Sequence, residues 1–195
     1  MRALSLLVSF VVVLGCGPTI GNFDYAKEPD PRKNELVLGV GDVVGVNVWE
    51  NPQLTVDATI RPDGTITMPL VGDLHAAGNT PTKLKEMITA QLANFIKQAV
   101  VTVAVRAWKS YRFTVEGEVT KPGVFGSDQY VTVSEALAMA SGLTRFAKRN
   151  EIKLLRRDGK TGDVRQIPLD FDDLASGKRL DMNIYVLPGD SIYVP

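Results

Sequence analysis

Few residues of this chain could carry out a reaction. His75 is the only histidine and Cys16 the only cysteine. A serine or cysteine nucleophile needs a base beside it. His75 lies in the short β-prone run Gly72-Asp73-Leu74-His75-Ala76, and no serine sits in a nucleophile-elbow sequence. One Cys and one His cannot complete a structural zinc site, and one Cys cannot close a disulfide within the chain. Gly39-Val40-Gly41 is followed by Gly45, which breaks the spacing of a dinucleotide loop, and it leads into a strand instead of a helix. Gly159-Lys160-Thr161 ends like a phosphate-binding loop, but Leu154 stands where the first glycine belongs. Asp170-Phe171-Asp172-Asp173 has two readings. The carboxylates either hold a cation or cut a glycosidic bond, or they open a short helix, where they meet its dipole. Trp49 and Trp108 either stack on sugar rings or fill partly buried sites at strand ends. The residues imply no cofactor and no metal.

Cys16 has a clearer chemistry. Arg2 supplies a positive charge, and residues 3–14 are almost wholly apolar. Twelve helical residues span about 18 Å, short of the ~30 Å hydrocarbon core of a bilayer. The run therefore reads as a secretory h-region. It ends in Val13-Leu14-Gly15-Cys16, which resembles a bacterial lipobox. Residues 1–15 are expected to be cleaved as a signal peptide, leaving Cys16 to carry lipid. Residue 17 is Gly, not the Asp that retains many lipoproteins in the inner membrane, so the expected address is the outer membrane, facing the periplasm.

Lys plus Arg and Asp plus Glu both number 22, so the formal net charge is zero and a chain-wide basic field for nucleic acid is excluded. Hydrophobic residues make up 45% and charged residues 23%, which is globular composition. Seventeen Gly and eleven Pro favour short strands and many turns over a helical bundle.

Residues 16–35 have few apolar side chains and contain Pro18, Pro29 and Pro31. They read as a flexible tether. From Leu36 the pattern turns strand-like, with Val44, Val46 and Val48 alternating. Residues 55–60 form a second strand, and residues 65–69 are expected to return as its hairpin partner. Thr80-Pro81 gives an N-cap with Pro at the first helical position, and Leu84, Ile88, Leu92 and Phe95 then mark one helical face. The Val-rich residues 99–105 are expected to be a central strand. In the second unit Phe113 and Val115 lie on a strand, Thr132-Val133-Ser134-Glu135 is a capping box, and Gly142 stands at the helix C-cap. Two strands flank the loop 157–162, and a last one ends the chain. The fold class is α+β: one unit over 36–107 and a second over 108–195, the latter a β-grasp, a small mixed sheet crossed by a helix.

Glycine, proline and aspartate set the turns. Arg61-Pro62-Asp63-Gly64 is a turn in which Asp63 bonds nearby amides and Gly64 takes positive φ. Lys121-Pro122-Gly123 is another, and Gly123 too is expected at positive φ. Leu38-Gly39-Val40-Gly41-Asp42 and Leu187-Pro188-Gly189-Asp190 echo each other, through duplication, shared turn chemistry or chance.

These strings carry a resemblance. Leu38, Gly41-Asp42-Val43, the run Arg61-Pro62-Asp63-Gly64-Thr65-Ile66, then Pro69-Leu70-Val71-Gly72 and Thr80-Pro81 resemble the polysaccharide biosynthesis/export domain of Wza-type outer-membrane lipoproteins. Val115, Gly117-Glu118-Val119, Pro122-Gly123, Ala140-Ser141-Gly142 and Leu187-Pro188-Gly189-Asp190 are similar to that family's soluble-ligand-binding (SLBB) β-grasp domain. Gly41, Asp42, Asp63, Gly64, Gly72, Gly117, Pro122, Gly123, Gly189 and Asp190 are read as scaffold, with no catalytic residue among them. The resemblance implies homo-oligomeric rings, an octamer among the sizes it admits, enclosing a channel for capsular polysaccharide or exopolysaccharide. No amphipathic stretch of ~20 residues follows the last strand. An outer-membrane β-barrel partner and an inner-membrane polysaccharide copolymerase are therefore expected to complete the route. Two other readings stand beside this one: a monomeric periplasmic glycan-binding lipoprotein, and a hydrolase using Asp170 and Asp172.

Overall fold

The computed structural model describes residues 20–159 and 161–195. The signal-peptide and Cys16 expectations fall outside the described residues.

Two separate apolar clusters define two units. In the first, β1 (Val43–Val48) is the middle strand of a three-stranded antiparallel sheet. It pairs with β2 (Val56–Thr59) on one side and β5 (Val101–Ala107) on the other. Val44, Val46 and Val48 point into the core, as their alternation requires. β3 (Thr65–Met68) and β4 (Gly72–His75) form a separate antiparallel pair. α1 (Pro81–Leu92) starts where Thr80 accepts the Lys83 amide and buries Leu84, Ile88 and Leu92 completely.

The second unit is a five-stranded mixed sheet in the order β7-β6-β10-β8-β9. The strands are β6 (Arg112–Gly117), β7 (Gly123–Gly126), β8 (Ile152–Arg157), β9 (Val164–Leu169) and β10 (Ser191–Val194). β10 runs parallel to β6 and antiparallel to β8. α2 (Val133–Met139) lays Val133, Ala136 and Leu137 into the same core as Phe113, Leu154 and Ile192. Its Glu135 carboxylate accepts the Thr132 amide at 2.6 Å, and Gly142 closes its far end at φ +80°. This is the expected β-grasp arrangement. α3 (Phe171–Ala175) is short.

Five expectations need correction. First, residues 20–35 are not a tether. Tyr25 belongs to the second core and is 4% exposed, because Ile20, Phe23 and Tyr25 supply apolar surface that composition alone undervalues. Second, β3 does not pair with β2. The turn forms, with the Arg61 amide bonded to the Thr65 carbonyl at 2.9 Å, but β2 is taken by β1 and β3 turns back onto β4. Third, β5 is an edge strand, flanked only by β1. Fourth, Phe95 lies beyond the end of α1 and is 60% exposed. Fifth, Gly123 has no positive φ and nothing within 4 Å of a would-be Cβ, because it opens β7 in extended backbone.

Candidate functional site

The two units meet at the linker 108–110. Asp42 is fully buried and holds that linker. Its carboxylate accepts the amides of Lys109 (2.8 Å) and Ser110 (2.7 Å), the Ser110 hydroxyl (2.8 Å) and the amide of Gly39 (2.8 Å). Four donors compensate a charge that would otherwise be costly to desolvate. Asp190 repeats the motif, accepting the Leu187 amide three residues back at 2.7 Å. The preceding glycines, Gly41 and Gly189, have φ of +91° and +83°. The echo in sequence is thus a shared turn geometry.

Beside this linker a cleft of about 480 Å³ opens, lined by Leu36, Trp108, Tyr130 and Tyr185, with Arg32, Gln129 and Glu135 among the polar groups. A second recess of about 470 Å³ shares Leu36, Trp108 and Asp128 and adds Arg106. Trp108 follows β5 directly. One face stacks on Tyr111, with ring centroids 4.6 Å apart and planes at 17°, and Tyr130 meets it edge-on at 4.8 Å. Tyr111 is pinned in turn: its hydroxyl donates to the Val186 carbonyl at 2.9 Å and accepts from the Val131 amide at 3.0 Å. Burial raises the pKa of Tyr111 and of Tyr130, so both remain neutral phenols. The Trp108 indole nitrogen is buried with no hydrogen-bond partner among the described residues. The Arg32 guanidinium lies 4.6 Å from the centre of the Tyr185 ring. It is oriented by Asp30 through bonds of 3.0 and 2.9 Å. That pairing holds the Asp30 carboxyl down at about 2.

Aromatic surface bordered by amide, carboxylate and guanidinium groups suits ligands that present both C–H faces and hydroxyls. It is the chemistry of recognition. Glu135 is engaged in capping α2, so it is not poised as a base.

The residues singled out from sequence are dispersed. Asp63 and Gly64 sit in the turn after β2, with Gly72 at the β3–β4 turn. Gly117 ends β6, the exposed Pro122 precedes β7, and Gly189 and Asp190 precede β10. Arg61 explains the Arg-Pro-Asp-Gly-Thr string, because its Nη2 donates to both Asp63 (3.1 Å) and Asp73 (2.9 Å), clamping the β3–β4 pair. Gly64 is confined: φ is +80°, a Cβ would lie 2.7 Å from His75, and its carbonyl accepts the amides of Ala76 and Ala77. His75 itself is exposed. Asp170 caps α3, accepting the amides of Asp172 (2.9 Å) and Asp173 (3.0 Å), while Asp172 pairs with Arg149 at 2.6 Å. That is the helix-start reading of this cluster. Trp49 is 67% exposed and fills no core. The cleft itself was not legible, apart from Trp108, because its walls come from four distant segments. Nor was Arg156, which draws the N-terminal segment and Asp190 together.

Asp63 allows a pH test. Its carboxylate accepts the Thr65 hydroxyl (2.6 Å) and amide (3.0 Å), and these bonds, reinforced by Arg61, lower its pKa from 3.8 to about 2. A depressed carboxyl pKa contributes stability above the unfolded value and loses it as the pH falls toward the folded one. Asp63→Ala is therefore expected to melt slightly below wild type at pH 7. The difference should narrow between about pH 4 and pH 2 in thermal scans, and a gap that is constant with pH would refute the assignment.

Residues 30–106 match the polysaccharide biosynthesis/export protein family, and residues 112–168 match the SLBB domain. The first unit is thus a polysaccharide-export domain and the β-grasp unit an SLBB domain. The chain thus carries, in this order, a domain of the polysaccharide biosynthesis/export family and an SLBB domain. It is 29% identical over 147 residues to the EPS I polysaccharide export outer membrane protein EpsA of Ralstonia solanacearum, covering 63% of this chain and 39% of EpsA. It is 30% identical over 125 residues to the exopolysaccharide production protein ExoF of Rhizobium meliloti, covering 58% of this chain and 30% of ExoF. With the capsule polysaccharide export outer membrane protein CtrA of Neisseria meningitidis it shares 25% identity over 203 aligned positions, 88% of this chain and 47% of CtrA. The chain therefore spans less than half the length of these relatives. Among the described residues no helix is long and apolar enough to cross a membrane.

Proposed function

We propose that this protein is a non-enzymatic component of a polysaccharide export route in the cell envelope. The observation that carries the reading is the pairing of an export domain with an SLBB domain in one chain. The finer features are part of the same proposal. Cys16 anchors the chain by lipid in the outer membrane, facing the periplasm. Copies assemble into a ring that the polymer passes, between an inner-membrane copolymerase and an outer-membrane β-barrel. The junction cleft supports passage, because its aromatic walls can stack on sugar rings, while the Thr132 hydroxyl and Glu135 carboxylate that also line it are bonded to each other in the cap of α2.

Deleting the gene is expected to abolish surface polysaccharide, with restoration by the wild-type copy. Unchanged surface polymer in the deletion strain would overturn the export reading. The cleft also suits a second reading, a monomeric glycan-binding lipoprotein. Native mass decides between them: a discrete multimer supports the ring, and a single-chain mass with affinity for one oligosaccharide supports the binder.

A further inference from the structure

We propose that the end of the SLBB domain around Ile20 and the loop 144–149 is a membrane-docking face, seated on an anionic phospholipid surface with Phe146 entering the interface. The inference rests on the Cys16 anchor proposed above. Its first support is a length. Ile20 is partly buried against the SLBB core and lines a recess together with Asn150, Glu151, Ile152, Lys153 and Pro168. Further along the chain, Tyr25 is in the SLBB core and Glu28 is bonded to Arg156 at 2.7 Å. The docked segment includes Ile20, four residues after Cys16. Four Cα steps reach at most about 15 Å. That is shorter than the diameter of a domain of this size, so a lipid on Cys16 holds this end of the SLBB domain to the bilayer and leaves the export domain to project away.

The second support is the loop that runs into that recess. Phe146 is 69% exposed. Its loop is nevertheless fixed: the Thr144 hydroxyl donates to Glu118 at 2.6 Å and accepts the Phe146 amide at 3.2 Å, and the Lys148 amide donates to the Pro195 carbonyl at 2.8 Å. A large aromatic held out on a fixed loop, with the Arg145 guanidinium 4.7 Å from its ring centre, is suited to the bilayer interface.

The third support is charge. Lys148 and Arg149 are paired with Glu151 and Asp172. Arg145 and Lys153 have no ion-pair partner among the described residues. With the Glu118 carboxylate that holds Thr144 counted against them, these groups carry a surplus of one positive charge, complementary to anionic headgroups.

The test supplies the anchor chemically. The mature chain has one thiol, so Cys16 can be coupled to maleimide-bearing lipid in vesicles of phosphatidylethanolamine and phosphatidylglycerol. Phe146→Trp places a reporter at an exposed position without touching either core. Coupled Phe146→Trp protein is expected to shift its emission to the blue and to lose its added fluorescence when the lipid chains are brominated. Trp49 and Trp108 of the wild-type chain should be unaffected, and Arg145→Glu with Lys153→Glu should reduce the quenching. An added signal that stays red-shifted and unquenched overturns the proposal. So does a blue shift produced only by a soluble acidic polysaccharide, which would make this face a polymer surface instead. Failure of the anchor reads separately: labelled palmitate incorporated by wild type but not by Cys16→Ser reports lipidation, whatever the vesicle assay shows.

Discussion

Gly117→Ala is expected to unfold the SLBB domain. Gly117 has φ of +88°, which costs an alanine about 1–2 kcal/mol. The larger obstacle is steric. A Cβ at Gly117 would lie 1.9 Å from the carbonyl oxygen of Val194 and 2.9 Å from its carbonyl carbon. These are backbone atoms of β10, so no rotamer change relieves the contact. The same Val194 carbonyl accepts the Glu118 amide at 2.8 Å, and the Gly117 carbonyl accepts the Val119 amide at 2.8 Å. Shifting β10 would break its parallel pairing with β6 and its antiparallel pairing with β8, because it is the middle strand of the sheet. A loss beyond about 4 kcal/mol is the expected scale, a large part of the 5–15 kcal/mol that keeps a domain folded. Urea titration followed by near-ultraviolet circular dichroism of the Trp108–Tyr111–Tyr130 cluster reads it. Gly123→Ala is the control and should stay within about 0.5 kcal/mol of wild type, since that position is open. A wild-type midpoint for Gly117→Ala would show that β10 can yield.

The contrast between Gly117 and Gly123 also marks the limit of the sequence. Both glycines stand in the same motif, but only their neighbours in space distinguish them. Features set within a few residues were legible. These include the Thr80-Pro81 start of α1, its Leu84, Ile88 and Leu92 face, the capping box at Thr132 and the Gly-Asp turns at Asp42 and Asp190. Pairings across long separations were not. β1 joins β5 about fifty residues later, and nothing local to residues 65–68 says that β4, instead of β2, will receive them. The segment 20–35 failed for a related reason. Its two prolines and sparse apolar residues have the composition of a linker, but one buried Tyr25 and one Glu28 are enough to hold it. Both find partners more than 120 residues away. The candidate cleft has the same character, since Arg32, Trp108, Tyr130 and Tyr185 converge only once the linker is locked by Asp42.

Replacing Arg156 by methionine is the most direct test of how the N-terminal segment is held. Arg156 is buried, its side chain 6% exposed, between two carboxylates that are each 2% exposed. Its Nε and Nη2 fork onto Asp190, with the shortest bond 2.6 Å. Nη1 donates to Glu28 at 2.7 Å, and Nη2 also donates to the Tyr185 carbonyl at 2.8 Å. Asp190 already has a raised pKa, chiefly from burial, although Arg156 opposes the shift. Removing the cation leaves two desolvated carboxylates facing each other, and losing one partner of such a buried group costs about 3–5 kcal/mol. The sign of the pH dependence follows. Without Arg156 the folded-state pKa of Asp190, already raised by burial, rises further above its unfolded value, so protonation favours the folded form. The stability deficit of Arg156→Met should therefore be full at pH 7 and shrink as the pH falls through the raised pKa of Asp190. Arg165, which reaches Glu28 at 3.1 Å from an exposed position, cannot take over because it does not contact Asp190. At neutral pH the segment should also detach locally, with faster amide exchange at residues 25–34 and tryptic cleavage at Lys27, Arg32 and Lys33. Arg156→Lys should not rescue it, since an ammonium cannot serve three acceptors in the planar geometry that the guanidinium provides. If Arg156→Met keeps wild-type stability at pH 7 and its segment resists trypsin, then the apolar packing of Ile20, Phe23 and Tyr25 holds the segment without the ion network.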